Sequence, residues 1–476
     1  MKKILAMGLA LIMIFALVGC KGNRREIVQL TLSTEDSEAI LAAAGIALPS
    51  VEEAEGANTT VDWFGYEDPF HNYADDEIIS TGYWTFVNKY GGEVNWVETT
   101  WSDYNTDLAA SILSSDAPDF TGAGAGMYPN LILQGMFAPC NDYIDYDDPL
   151  WEGTKEFAYK YTAMHGKVYT LCTDIQFGQI VAYNRRVVSE WGFDDPAELY
   201  LNDEWTWDKF YEMCVEFTDP DEGRWAVSSW SFPMGIMDST GTQAVYYDGN
   251  ESAFVANYDD PRLERAANLL YDMAKNDTVY PWWSMGGLMN GVEGGGIKDG
   301  NLLFYLRHQY CIIGPVDDMS NIWGDIAAGE LMFAPVPRDD DGDGKYYLNS
   351  YPAGYSLIKG GDNHAGAALL AACERFKIID PTVISIDEKQ LREIYLWNDD
   401  MMDMWDMCKN IVNNQGTTVY EYDLGSKLSG YVNNLNSNAN TDEPTSWASL
   451  KEANGPAIDH YVGQLNEQIA DMAASE

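Results

Sequence analysis

Residues 59–65 read TTVDWFG, and this short apolar run, which ends at a glycine, predicts the first strand of the fold. Apolar residues then recur at spacings of four, three and four, which predicts one face of a helix. That face consists of Ile79, Tyr83, Phe86 and Tyr90. Residues 94–97 predict a second strand, residues 104–112 a second helix, and residues 117–120 a third short strand or loop. This alternation predicts an α/β fold built on parallel strands.

A second α/β region follows in the middle of the chain. Residues 180–183 form an apolar, strand-like run. Thr206, Asp260 and Asn363 each stand where a side-chain oxygen can cap the first turn of a helix. The sequence therefore predicts at least two units of the same α/β type.

The first twenty residues have the pattern of an export signal. Lys2 and Lys3 precede an apolar run at 4–18, which is too short to span about 30 Å of hydrocarbon as a permanent helix. The run ends in Leu-Val-Gly-Cys and resembles a bacterial lipobox, which implies that Cys20 becomes the lipidated first residue. The alternative is an ordinary cleaved signal with a chance cysteine. Residues 21–58 then predict a tether, in which 37–44 form either a docked helix or part of a flexible stalk.

The charge balance excludes some partners. The chain has 75 acidic and 28 basic side chains and a net charge of −47, which opposes binding to nucleic acid or anionic lipid. Seven cysteines include Cys20, and the other six are scattered without a C-x-x-C pair, mostly in apolar surroundings. We predict that most of these six are buried free thiols. They are Cys140, Cys172, Cys214, Cys311, Cys373 and Cys408.

Catalytic and metal signatures are sparse. The five histidines show no zinc-ligand spacing, and no nucleophile elbow or phosphate loop appears, so we predict a protein that is not an enzyme and needs no cofactor. Asp339, Asp341 and Asp343 match the first half of a calcium loop, but Ser350 stands where a bidentate Glu is expected. A polar turn rich in Asp and Gly explains the same stretch. Both interpretations stay open at this point.

Aromatic residues offer a stronger signal. The chain has 16 Trp and 30 Tyr, and several cluster with polar residues where strands are predicted to end. Flat aromatic rings flanked by Asp, Glu, Asn, Gln and Arg suit a carbohydrate, whose C–H faces stack on the rings. The clusters lie at 63–68, 230–232, 282–283 and 307–310. Any single member could be a core residue, but the set favours a site.

Five motifs in order give the chain a family resemblance. They are TVDWFGY at 60–66, LSSDAPD at 113–119, HGKVY at 165–169 followed by VAYNR at 181–185, WTWDKF at 205–210, and IKDGN at 297–301. With these motifs, the region 59–470 resembles the extracellular solute-binding proteins of ABC importers, the family that includes maltose-binding proteins.

The resemblance implies a two-lobe periplasmic-binding-protein fold of type II-like form. Each lobe would be a mainly parallel sheet flanked by helices, with about three crossing segments as a hinge near 173–176, 303–306 and 351–355. The implied division is 1–20 signal peptide, 21–58 tether, 59–174 plus 305–352 N-terminal lobe, and 175–304 plus 353–476 C-terminal lobe. The ligand would lie in the cleft between the lobes.

The resemblance and the aromatic clusters together predict a set of ligand-binding residues. They are Trp63, Tyr66, Glu67, Asp68, Tyr128, Asp174, Gln176, Trp230, Phe232, Trp283, Arg307, Tyr310 and Tyr351. The implied function is a monomeric lipoprotein on the outer face of the cytoplasmic membrane that delivers a sugar, as an oligosaccharide, to the permease subunits of an ABC transporter. The alternatives are a binding protein for a peptide, amino acid or polyamine, a surface-anchored glycan hydrolase, and a surface adhesin or sensor.

Overall fold

A computed structural model describes residues 32–56, 58–70, 80–123, 127–228, 231–249, 251–282, 296–313, 322–418, 424–437 and 439–475. Cys20 and the rest of the predicted signal lie outside these residues, as do Trp230 and Trp283. Within them, no helix is both long enough and apolar enough to cross a membrane.

The described strands, in chain order, are β1 (Thr60–Gly65), β2 (Glu93–Glu98), β3 (Phe120–Gly122), β4 (Phe137–Ala138), β5 (Ala163–Met164), β6 (Lys167–Val168), β7 (Leu171–Phe177), β8 (Gln179–Asn184), β9 (Trp225–Ser228), β10 (Val245–Asp248), β11 (Ala253–Ala256), β12 (Leu302–His308), β13 (Leu331–Pro335), β14 (Leu348–Ile358) and β15 (Gly416–Thr418).

The described α-helices are α1 (Thr34–Ala47), α2 (Thr81–Tyr90), α3 (Tyr104–Ser114), α4 (Lys155–Tyr161), α5 (Arg185–Glu190), α6 (Pro196–Leu201), α7 (Trp207–Phe217), α8 (Phe232–Asp238), α9 (Pro261–Lys275), α10 (His364–Ile379), α11 (Pro381–Ile394), α12 (Asp399–Gln415), α13 (Ser426–Asn436) and α14 (Trp447–Ser475).

The first lobe is built on a sheet in which β15, β14, β3, β1 and β2 are neighbours in that order, with β4 and β7 also paired to β14. Strands β1, β2 and β3 run parallel, whereas β14 runs antiparallel to β3, β4 and β7. The predicted strands and helices of 59–122 are confirmed over the described residues, and Ile79 of the predicted helix face lies outside them. Helix α2 begins at the cap Ser80 and ends at Gly91, whose φ of 66° suits a residue without a side chain.

The second lobe is built on a sheet with the order β13, β8, β12 and β9. Strand β12 runs parallel to β9 and antiparallel to β8. Every residue of β8 is buried, which explains its unbroken apolar run. The predicted caps are confirmed, because Thr206, Asp260 and Asn363 each accept a backbone hydrogen bond in the first turn of α7, α9 and α10.

Among the described residues, the chain changes from one lobe to the other at three places. It crosses at Gly178 between β7 and β8, again between β13 and β14, and again between β15 and α13, since α13 packs against α14 and α8 of the second lobe. The predicted crossing at 303–306 is wrong, because β12 lies inside the second sheet between β8 and β9. The residues 351–355 belong to β14, within the first sheet.

The assignment of strands to the two sheets also differs from the predicted lobe boundaries. Strands β12 and β13 pair in the second sheet, whereas all of β14 and then β15 pair in the first. The segment 302–335 therefore lies with the second sheet, and 348–418 returns to the first. The first five residues of β12 are all buried, so its apolar sequence predicts a core strand but does not reveal which sheet it joins.

Helix α1 docks on the first lobe, in agreement with the docked alternative for 37–44. Ile40 and Ala44 are fully buried against the core, where α1 packs on α2 and α11. Lys89 Nζ donates to the carbonyl of Ala44 at 2.5 Å, where the helix ends, and Tyr90 OH donates to Pro49 O at 2.7 Å. All six predicted thiols are free, and all except the half-buried Cys311 are buried.

Candidate functional site

The parallel strands of each lobe end at one edge of their sheet. In the first lobe, the loops after β1, β2 and β3 share an edge because the three strands run in the same direction. In the second lobe, Ser228 and His308 end the parallel strands β9 and β12. Ligands bind in the crevice outside such carboxyl ends. The two edges approach each other, since Gln309, the residue after β12, reaches Tyr351 of the first lobe. Burial raises the pKa of Tyr66, with smaller contributions from Glu67 and from Tyr310 of the second lobe.

On the first-lobe edge, two aromatic rings are exposed together. Tyr66 follows β1 and Trp101 follows β2, and their ring centroids lie 5.2 Å apart in an edge-to-face arrangement. Tyr66 is 44% exposed and Trp101 is 74% exposed. Large aromatic side chains with this much free surface at a cleft are available for a ligand.

On the second-lobe edge, Arg307 and Tyr310 form a fixed polar group. Arg307 Nε donates to Tyr310 OH at 3.0 Å, and Arg307 Nη1 donates to Tyr305 OH at 2.5 Å. The guanidinium carbon also lies 5.5 Å from the centroid of the Tyr310 ring, which is a cation–π distance. Tyr310 itself is 50% exposed. At this edge, the Arg307 guanidinium is therefore fixed by two hydrogen bonds, and the Tyr310 ring is half exposed.

The two edges meet at a polar floor beside the first crossing. Gln309 Nε2 donates to Tyr351 OH at 3.0 Å, which joins the end of β12 to β14 of the other lobe. The His308 ring lies 6.0 Å from that of Tyr351. Burial, with Arg307 nearby, lowers the pKa of His308 to about 4, so its imidazole is neutral near pH 7. Gln176 pairs with Tyr351 in the register of β7 and β14.

Trp63 and Asp68 are buried and stabilise the loop that follows β1, and they are not exposed to the cleft. Trp63 is 9% exposed and packs against Phe70, Phe120 and Tyr355. Its Nε1 donates to Glu67 O at 3.0 Å, and Asp68 Oδ1 accepts the Phe70 N–H at 3.0 Å. These bonds fix the loop that presents Tyr66 and Glu67.

Three other predicted ligand residues have partners within the protein. Tyr128 is buried against Tyr247 and Phe254, and Phe232 is fully buried inside the second lobe. Asp174 accepts a hydrogen bond from Lys409 Nζ beside a groove of about 1240 Å³ along the free side of β7.

That groove has Arg375 at its base. The guanidinium donates to the carbonyls of Leu150, Thr173 and Glu152, and Lys409 also donates to Ile175 O. The backbone of this strand is thereby bonded to charged side chains.

The aspartate-rich segment forms a turn whose carboxylates point to different partners. Asp339 Oδ2 accepts from both Nε and Nη2 of Arg265 at 2.8 and 2.5 Å. Asp343 Oδ2 accepts from Tyr347 OH at 2.8 Å. In the part of the chain that the structure describes, no group of three or more His, Cys, Asp or Glu side chains is placed to hold a metal ion. The partners of Asp339 and Asp343 favour the polar-turn interpretation, and the calcium interpretation stays a prediction.

Trp101 is a candidate site residue that the sequence patterns did not identify. It lies in the segment TTWSD at 99–103, directly after the predicted second strand. Because β1 and β2 are parallel, this loop had to share an edge with the loop that carries Tyr66. An aromatic residue after a second parallel strand was the available signal.

Comparisons with known proteins agree with this geometry. Residues 85–292 match the family described as bacterial extracellular solute-binding protein. No curated protein sequence matches the chain significantly.

Solved structures share the fold over most of the chain. The GacH receptor of Streptomyces glaucescens aligns with a TM-score of 0.58 at 15% identity, over 85% of this chain and 98% of that one. The ABC substrate-binding protein Lmo0181 from Listeria monocytogenes aligns with a TM-score of 0.58 at 14% identity, over 85% of this chain and 99% of that one. The galacto-N-biose-/lacto-N-biose I-binding protein from Bifidobacterium longum aligns with a TM-score of 0.58 at 14% identity, over 85% of this chain and 97% of that one. Residues 85–292 thus match the bacterial extracellular solute-binding family, and the chain has the two-lobe α/β fold that such proteins share.

Proposed function

We propose that the chain is an exported, non-catalytic binding protein that captures a carbohydrate, more specifically an oligosaccharide, in the interlobe cleft and delivers it to an ABC importer. The observation that carries this proposal is the exposed Tyr66–Trp101 pair at the edge of the first lobe, together with the half-exposed Tyr310 at the edge of the second. Sugar rings offer weakly positive C–H faces, which stack on the negative faces of aromatic rings.

Polar groups around these rings suit sugar hydroxyls. Glu67 supplies acceptors, whereas Arg307 supplies donors, and charged groups make the stronger hydrogen bonds. From the predicted ligand residues we propose Tyr66, Glu67, Gln176, Arg307, Tyr310 and Tyr351 as the set that contacts the ligand, with Trp101 added. We propose no metal or other cofactor.

The similar structures support the ligand class. The GacH receptor was solved with acarbose, Lmo0181 with cycloalternan, and the Bifidobacterium longum protein with lacto-N-biose. All three ligands are carbohydrates of more than one ring. Binding measurements on this chain would identify the particular sugar, its linkage and its length.

A thermal-shift screen tests the proposal. The panel contains acarbose, malto-oligosaccharides, lacto-N-biose and monosaccharides, set against amino acids, short peptides and polyamines. A ligand at 100 times its dissociation constant adds about 2.7 kcal/mol to the free energy of unfolding. Stabilisation by the second group alone would contradict the sugar assignment. Release of smaller glycans by the purified protein would point to a hydrolase instead.

We further propose that residues 1–20 are a signal peptide and that Cys20 carries the lipid. The folded chain would then stay as a monomer on the outer face of the cytoplasmic membrane, beside the permease subunits. Anchoring of this kind is stable with two or more acyl chains, where a single chain is marginal. A Cys20→Ala variant should appear in the medium with its ligand response intact. Retention of that variant in the membrane fraction would refute the lipid anchor.

A further inference from the structure

The lobes touch at a second place, through residues other than Tyr66, Trp101 and Tyr310. On the first lobe, Tyr128 lies in the turn after β3, and its hydroxyl donates to Ala163 O at 2.9 Å. Its ring centroid lies 5.9 Å from that of Tyr247 and 6.4 Å from that of Phe254, which belong to the hairpin β10–β11 of the second lobe. Burial, with the Tyr247 hydroxyl close by, raises the pKa of Tyr128 well above its ordinary value.

A hydrogen bond joins the lobes at the same place. His165 Nε2 donates to the carbonyl of Ile469 in α14 at 2.9 Å. His165 and Gly166 form the tight turn between β5 and β6, with φ values of 51° and 78°. A left-handed backbone at a residue other than Gly is uncommon, and such a conformation persists only where its surroundings hold it.

The aromatic and hydrogen-bonded parts belong to one rigid unit of the second lobe. The side-chain amide of Asn466 accepts the Phe254 N–H at 2.7 Å and donates to Phe254 O at 2.9 Å. Asn466 and Ile469 are three residues apart on α14, so they lie on the same face of that helix. Tyr258 OH adds a bond to Asp459 of the same helix at 2.8 Å. Hairpin and helix therefore approach the first lobe together.

We propose that this second interlobe contact, formed by Tyr128 and His165 with Tyr247, Phe254 and Ile469, holds the lobes together independently of ligand. It sets the fraction of molecules in the closed form. Because the apparent dissociation constant depends on the populated fraction of the competent state, the contact tunes affinity without touching the ligand. Tyr128, predicted from the sequence to bind ligand, is reassigned to this role. The inference rests on the proposed function of the cleft, but its test needs no ligand, so the two can fail separately.

Small-angle X-ray scattering of the ligand-free protein tests the contact. A Tyr247→Ala, His165→Asn double variant should have a larger radius of gyration than the parent chain, because the lobes open. Asn tolerates the left-handed backbone of the turn, so His165→Asn removes the bond to Ile469 and keeps the turn. Tyr246→Ala is the matched control, since Tyr246 is the exposed neighbour on the other face of β10 and should leave the radius unchanged.

Circular dichroism must first show native spectra for every variant. If the double variant does not fold, His165→Asn alone decides the question, and it should still give a measurable increase over the parent. A radius of gyration equal to that of the parent in each folded variant would overturn the proposal. An equal increase in the Tyr246→Ala control would overturn it as well, because the effect would then not come from this contact.

Discussion

Asn349 binds the Gly178 crossing at two points. Its backbone carbonyl accepts the Gly178 N–H at 2.9 Å, and its side-chain Oδ1 accepts the neighbouring Gln179 N–H at 2.8 Å. Gly178 O in turn accepts the Gln309 N–H at 3.0 Å. Two of the three crossings are therefore joined directly to each other beside the floor of the cleft.

Gly178→Ala should destabilise the protein at this junction. A Cβ at this position would lie 2.1 Å from Asn349 Oδ1, so the amide or the backbone must move. Such overpacking costs about 1–3 kcal/mol. The free energy of unfolding from urea titration measures the loss. Gly463→Ala is the control, because that helical position has open space and should gain about 0.5–1 kcal/mol from the same substitution. Equal stability of the parent and the Gly178 variant would contradict the close junction.

Trp101→Ala should weaken sugar binding and leave stability nearly unchanged. The ring is 74% exposed, so folding gains little from it, whereas an aromatic contact contributes about 0.5–1.5 kcal/mol. At 1.4 kcal/mol per factor of ten, the dissociation constant should rise roughly two- to twelvefold. Isothermal titration with the sugar found in the screen measures it. Leu113→Ala is a control of similar exposure, at 85%, on α3. Equal affinities in the two variants would exclude Trp101 from the site.

Asp387 should make stability depend on pH in a definite direction. Its carboxylate accepts from Thr81 Oγ1 at 3.0 Å and from Gln390 Nε2 at 3.2 Å, and Lys377 and Glu374 of α10 face it. Burial raises the pKa of Asp387 from 3.8 to about 6, against the opposing effect of Lys377. The folded state thus binds more protons than the unfolded state between pH 4 and 6, so stability falls as pH rises through that window.

The full shift corresponds to about 3 kcal/mol at 1.36 kcal/mol per pKa unit, and about 2 kcal/mol of this is lost between pH 4 and 6. Asp387→Asn removes the titrating group, and its free energy of unfolding should change less between pH 4 and 6 than that of the parent chain. The comparison of slopes cancels the contribution of the other carboxylates. Parallel pH profiles for the two proteins would show that Asp387 does not titrate in this way.

Calcium should have no effect on stability. Asp339 is paired with Arg265, and Asp343 is bonded to Tyr347, so binding an ion at this turn would first have to break these interactions. The melting temperature should be the same in millimolar calcium and in EDTA. If calcium raises the melting temperature of the parent chain but not that of the Asp341→Ala variant, the calcium-loop interpretation is restored. If calcium raises the melting temperature of both proteins equally, the ion binds at another site.

Local patterns were the predictable part of the fold. Thr206, Asp260 and Asn363 identified helix starts because a cap acts within three residues of itself. Strand β12 was predictable as a strand, but its place in the fold was not. Its apolar run predicts a buried strand, but its partners β8 and β9 lie far away in sequence, and only the assembled sheet decides which lobe it joins.

The site was predictable only in part for a similar reason. Tyr66 and Trp63 lie three positions apart in one stretch, yet Tyr66 faces the cleft and Trp63 packs in the core. Sequence composition makes both look suitable for a sugar. The direction of a side chain at a strand end depends on the turn that follows, which here is fixed by Asp68 and by the bond from Trp63 to Glu67 O.

The cationic side chains along β7 have a consequence for behaviour at high concentration. An unpaired sheet edge is a template for adding a strand from another molecule, and such pairing begins aggregation. Arg375 and Lys409 occupy the carbonyls of Thr173 and Ile175, and no described strand pairs there with β7 apart from β14. An incoming chain would have to compete with two charged donors for these carbonyls. Together with a net charge of −47, this should keep crowded copies of the protein from joining edge to edge.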